Sequence, residues 1–140
     1  MLPLAIRLAG AAVILATLSL AGCNRQPIYP VSGVIVGPDG SPITTMPGAA
    51  IEFESVDFKA SANSSIDDKG AFRLTTASPG DGAYLGKHRV AIIRPYIGPE
   101  NRVPHVIDPK YESFETSGLQ IDVEPKSNDI KITVELYKKK

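Results

Sequence analysis

Tryptophan is absent from the 140 residues, cysteine occurs once, at Cys23, and histidine only twice, at His88 and His105. A single thiol excludes an intramolecular disulfide, so a folded domain here must rest on its apolar core. The two histidines stand in no His-x-His or His-Glu-x-x-His spacing, and no acidic loop has EF-hand spacing. The expectation is therefore no metal and no dissociable cofactor. Charge of one sign is also lacking, with 15 basic against 15 acidic side chains. Nothing supplies the basic excess that neutralises phosphates, which argues against nucleic acid as a partner. The 12 glycines and 12 prolines leave little room for long helices and suit many short strands joined by turns.

What is present begins with an apolar run. Arg7 gives the first residues one positive charge, Leu8 to Leu20 are almost entirely apolar, and small residues precede Cys23. That order is the order of an export signal. The alternative is an uncleaved transmembrane helix, which needs roughly 20 apolar residues to cross a core of about 30 Å. Arg7 on one side and Asn24-Arg25-Gln26-Pro27 on the other leave too few.

Leu20-Ala21-Gly22-Cys23 resembles the lipobox of bacterial lipoproteins. All four positions fit: an apolar residue, two small ones that let the backbone enter a peptidase, and the thiol that accepts lipid. The resemblance implies a signal peptide over 1–22, cleavage before Cys23, a diacylglyceryl group on its sulfur and often an acyl group on its new amine. Two or more acyl chains give stable anchoring, at about 0.8 kcal/mol per buried CH₂. The product would be exported and held to a membrane by lipid. Asn24 in place of Asp leans towards the outer membrane or cell surface. Asn24 to Pro30, with two prolines, reads as a tether, making the divisions 1–22 signal, 23–30 tether and 31–140 domain.

Beyond the tether, period-two segments alternate with turn signals, which predicts an all-β fold. The predicted strands are Tyr29–Val36, Ala49–Phe58, Ala62–Ile66, Ala71–Thr76, Gly86–Arg94, Gly118–Val123 and Asp129–Tyr137. Gly37-Pro-Asp-Gly40 and Pro125-Lys-Ser-Asn128 read as turns, and Asp67-Asp-Lys-Gly70 as a hairpin turn. Ala91 and Ile93 are apolar on the face opposite Val90 and Ile92, which marks Gly86–Arg94 as a central strand. The last strand directs Ile130, Ile132, Val134 and Leu136 inward. About seven strands over roughly 110 residues is the span of a two-sheet sandwich. The stretch 95–117 carries Pro95, Pro99, Pro104 and Pro109 and has no period, which argues against regular pairing there. Irregular loops longer than about 15 residues are usually functional or mobile.

The order of these segments carries a second resemblance. Val31-Ser-Gly-Val-Ile-Val with Gly37-Pro-Asp-Gly-Ser-Pro-Ile43, then Gly48-Ala-Ala-Ile-Glu-Phe53, then Asp67-Asp-Lys-Gly-Ala-Phe-Arg-Leu74, then Leu85-Gly-Lys-His-Arg-Val-Ala-Ile92 resemble successive motifs of carboxypeptidase regulatory-like domains. Leu85 and His88 replace the usual Pro and Tyr of the last motif. Pro109-Lys-Tyr111 and Thr116-Ser-Gly-Leu119 resemble segments of small planctomycete-type lipoproteins carrying this domain. The resemblance implies a transthyretin-like Greek-key sandwich, generally without catalytic residues, serving as a structural, adhesive or partner-binding module.

The remaining candidates for chemistry each have a plainer reading. His88 falls on the Val90–Ile92 face, where a packed histidine is expected in place of a ligand. His105 near Asp108 would be needed by an envelope hydrolase, the weakest of the functional alternatives. Asp39, Asp67, Asp68 and Asp81 sit in turns beside glycine and suit backbone capping. Glu52 and Glu54 share one strand face, as a solvated sheet surface requires. Tyr96, Tyr111 and Phe114 lie in the irregular stretch. They either stack on a glycan or peptide held by an envelope partner or pack the loop over the sandwich. The Lys138-Lys139-Lys140 tail is either a solvated terminus or a weak contact for anionic lipid.

Overall fold

The computed structural model describes residues 26–100 and 103–140. Cys23, the lipobox residues Leu20, Ala21 and Gly22, and the signal segment lie outside the described residues. The described chain is all-β. Its strands are β1 Ile28–Tyr29, β2 Val31–Val36, β3 Ala50–Ser55, β4 Ser61–Ser65, β5 Ala71–Arg73, β6 Ala83–Tyr84, β7 Gly86–Ile93, β8 Gln120–Val123 and β9 Asn128–Thr133. Among the described residues, helix is confined to a 3-10 turn, Pro109–Glu112, and one α-turn, α1 Phe114–Ser117.

Three strands form one sheet in the order β5-β2-β9, and four form another in the order β4-β3-β7-β8. All neighbours are antiparallel except β2 and β9, which run parallel from Val31–Asn128 to Val36–Thr133. The two inner faces supply one apolar layer. Val31, Ile35, Phe72 and Ile132 come from the three-stranded sheet, and Ile51, Phe53, Val90 and Ile92 from the four-stranded sheet. Phe53 and Phe72 meet across the layer with ring centroids 6.2 Å apart.

Gly33 explains how that contact is made. It pairs with Phe72 on β5, and a methyl group at Gly33 would sit 2.8 Å from the Phe72 ring and 2.3 Å from the Ile130 carbonyl oxygen. Only a residue without Cβ lets the ring lie over β2. The neutral ring of His88 is the third member of this group, 1 % exposed and 5.9 Å from Phe53. Its Nδ1 donates to the Gly86 carbonyl, 3.0 Å away, which makes Nδ1 the protonated nitrogen.

The turns follow from their carboxylates. Asp67 accepts from the Ala71 and Lys69 amides and Asp39 from the Ser41 amide and hydroxyl; both are held below the usual carboxylate range. Burial pushes Asp81 up, but amides of Thr76, Ser78 and Ala77 outweigh it and the net direction is down. The Asp67–Gly70 turn does not close an ordinary hairpin. Its arms share register at both ends, Asp67 with Ala71 and Asn63 with Thr75. Between them the Arg73 amide bonds the Ser64 hydroxyl, while β4 remains with β3 and β5 with β2. The splayed hairpin therefore joins the two sheets along one edge.

The ends differ from the expected strands in physical detail. β3 stops at Ser55 because its hydroxyl caps the Val56–Lys59 turn through the Phe58 amide, leaving Phe58 43 % exposed. Leu136 is not inward. β9 ends at Thr133, the chain then bridges to Ile107, and Leu136 is 48 % exposed. Ile93, expected to face apolar cover, is exposed, whereas Ala91 beside it is buried. The short β1–β6 pair has no period to announce it. It holds Ile28 opposite Tyr84 and Tyr29 opposite Ala83, so the end of the expected tether belongs to the fold.

Truncation of the layer should be costly. Phe53→Ala is expected to lower unfolding free energy by about 3–5 kcal/mol in denaturant titration. Burial pushes the His88 imidazole below its ordinary value, outweighing the Gly86 carbonyl and Asp122, which raise it. The unfolded chain then binds a proton that the fold refuses, so stability is full above about pH 6.5 and falls as pH drops below it. His88→Leu should flatten that slope; an unchanged slope in the variant would show that His88 is not its source.

Candidate functional site

Backbone hydrogen bonds gather the strand termini into two distinct ends. β1, the start of β7, the Val56–Lys59 turn and the Asn128 turn lie at one end, linked by hydrogen bonds from the Leu85 amide to the Pro27 carbonyl, Val56 amide to Lys87 carbonyl and Asn128 amide to Pro30 carbonyl. The eight residues of β7 then rise roughly 25 Å to the other end. There the chain enters Pro95-Tyr-Ile-Gly-Pro99, whose prolines lack the amides that a ladder needs.

The segment after this loop bridges the sheets along the second edge. It bonds the four-stranded sheet through Arg94 Nη1 to the Val103 carbonyl, at 2.8 Å, and the Ser117 hydroxyl to the Val90 carbonyl, at 2.5 Å. It bonds the other sheet's continuation through the Asp108 amide to the Glu135 carbonyl and the Glu135 amide to the Tyr111 hydroxyl, both near 3 Å. Between loop and bridge lies a cleft of about 750 Å³, open at the end of the sandwich. Its walls include Ile93, Tyr96, Val103 and His105, and its floor is the ion pair of Arg94 Nε with Glu112 Oε1.

His105 stacks on Tyr137 at 5.1 Å. Its Nδ1 is buried without a hydrogen-bond partner, 3.7 Å from the Glu112 carboxylate that Arg94 already holds. Asp108 does not join it: its carboxylate accepts from the Lys110 amide at 2.9 Å and caps the 3-10 turn. Among the described residues no three His, Cys, Asp or Glu side chains converge as a metal site requires, and no helix is long and apolar enough to cross a membrane.

The three candidate aromatics occupy three different settings. Tyr96 stands on the lip of the cleft, 81 % exposed. Tyr111 is 4 % exposed within the core, its hydroxyl engaged by Glu135 and the Lys110 ammonium 5.2 Å from its ring centre. It has no ring face free for a sugar. Phe114 lies against the Arg89 guanidinium at 5.5 Å, on the face where Arg89 pairs with Glu54. Glu54 on the expected solvated face is thus half of an ion pair. Arg94 and Glu112 were not singled out by sequence. Their signal in the sequence is no more than opposite charge, at Arg94 just before the aperiodic stretch and at Glu112 inside it.

Comparison of the chain with family models, with curated proteins and with solved structures finds no match.

The Arg94–Glu112 pair should hold the cleft in shape. Both side chains are about a third exposed, so its loss is modest. Glu112→Ala is expected to cost about 1–2 kcal/mol and to speed proteolytic cutting within 95–104. Unchanged cutting would show that the loop is held by other contacts.

Proposed function

We propose that this chain is an exported lipoprotein, anchored through Cys23, whose β-sandwich is a non-catalytic structural or partner-binding module of the cell envelope. The observation that carries the proposal is Leu20-Ala21-Gly22-Cys23 at the end of an apolar run in a chain with no other cysteine. The lipid on Cys23 is the one covalent group the proposal requires. The membrane is then the first partner, by way of the outer membrane or cell surface, with Asn24 the reason for that side.

The sandwich is assigned to the transthyretin-like, carboxypeptidase regulatory-like Greek-key class. Two features of the residues support this. The glycine of the first motif, Gly33, and the phenylalanine of the third, Phe72, face one another across paired strands. The turn glycines Gly40 and Gly70 both take positive φ, as those motifs require.

A second reading is a receptor for an envelope glycan or peptide. The exposed Tyr96 beside an open cleft favours it, since such a ring can stack on an apolar or sugar face. It needs neither Tyr111 nor a metal, and it is compatible with the same anchor.

Detergent phase separation tests the anchor. The protein expressed in a bacterium with its own leader is expected in the detergent phase, and Cys23→Ala in the aqueous phase or retained as a longer precursor. Wild-type protein in the aqueous phase would contradict the proposal.

A further inference from the structure

The exposed large apolar side chains divide between the two ends of the sandwich. Ile93, Tyr96, Ile97, Leu136 and Tyr137 are at the cleft end; Val56, Phe58 and Leu85 are at the end where the described chain begins. The latter three stand on two adjoining segments of that end and are treated as one patch. Phe58 stacks on Tyr84 at 5.8 Å, Leu85 follows Tyr84, and the Val56 amide bonds the Lys87 carbonyl. Lys59 and Lys87 are exposed around it, and the exposed acids beside them are Asp57 in the same turn as Lys59 and Asp122 opposite Lys87 on β8.

Cys23 cannot be far from this patch. The Leu85 amide holds the Pro27 carbonyl at 3.1 Å, and β1 continues directly into pairing with β6. Four Cα–Cα steps separate Pro27 from Cys23, so the two α-carbons are at most about 15 Å apart whatever path the chain takes. That is shorter than β7, and it cannot bring the cleft end to the anchor.

Resting on the lipid-anchor reading, we propose that Val56, Phe58 and Leu85 form a docking face that seats on the bilayer carrying the Cys23 lipid. Phe58 and Leu85 enter the boundary between headgroups and acyl chains, and Lys59 and Lys87 meet lipid phosphates. The domain then stands upright, with the cleft and the Lys138–Lys140 tail facing away from that membrane. Each apolar contact is weak alone, but the acyl anchor supplies a high local concentration, so seating needs no independent affinity.

The absence of tryptophan makes the test direct, because one introduced indole is the only one in the molecule. Lipidated full-length Phe58→Trp, Leu85→Trp and Tyr96→Trp proteins are reconstituted in phosphatidylethanolamine–phosphatidylglycerol vesicles containing lipid brominated on its acyl chains. Indoles at positions 58 and 85 are expected to lose roughly half their emission or more, and the one at 96 almost none. Protein that floats with the vesicles but shows no quenching at 58 or 85 overturns docking and leaves the anchor standing. Quenching equal at all three positions also overturns it, since the domain would then tumble on its tether. A blue shift at 58 that depends on protein concentration, without bromine quenching, would assign the face to a second copy and overturn it as well. Protein that does not float and has an unmodified N-terminus overturns the anchor and the docking together.

Discussion

The hydrogen bond from the Leu85 amide to the Pro27 carbonyl decides which end of this molecule is near its N-terminal segment. With the two-residue β1–β6 pair behind it, that bond leaves only four steps between a fixed backbone position and Cys23. Gly82 shows how tightly the junction is built: a methyl group there would lie 1.7 Å from the Tyr29 carbonyl oxygen, at a φ of +108° that side chains rarely adopt. The proposed orientation on a membrane follows from this local geometry and not from any long-range interaction.

The core and the cleft are consequences of how the sheet edges are joined. One edge is closed by the splayed hairpin at Asp67–Gly70, where a serine hydroxyl replaces a ladder bond. The other is closed by the bridge over 103–118, bonded to both sheets. Tyr111 is central to that bridge because its ring is buried while its hydroxyl reaches the Glu135 amide. Of the two roles the sequence leaves open for it, Tyr111 takes that of a brace between loop and sandwich. The cleft exists because Pro95–Pro99 cannot join a ladder and so stands clear of the bridge. Its charged floor is internally neutral, which suits an apolar or uncharged polar partner better than a strongly charged one.

Much of the fold was legible in the sequence because strand alternation reports burial directly. Phe72 and Leu74, Ile51 and Phe53, and Val90 and Ile92 all face the core as their period requires. His88 is buried as its place on that face implies. The sequence could not show β1 and β6, since two residues carry no period. It could not show that Leu136 leaves the sheet, because alternation continues in the letters after pairing has ended at Thr133. Nor could it pair Arg94 with Glu112 across 18 residues, because ion-pair partners in an aperiodic stretch leave no spacing rule. Of the three aromatics, the sequence could not tell the exposed Tyr96 from the buried Tyr111, as both stand beside prolines or charges.

The central claim is that Cys23 is the first residue of the mature protein and carries lipid, and intact-mass spectrometry of the protein extracted from its native membrane tests it most directly. The account predicts an N-terminal peptide that begins at Cys23 and is heavier by a diacylglyceryl group, with or without a further acyl chain. A peptide beginning at Met1, or a free thiol on Cys23, would contradict it.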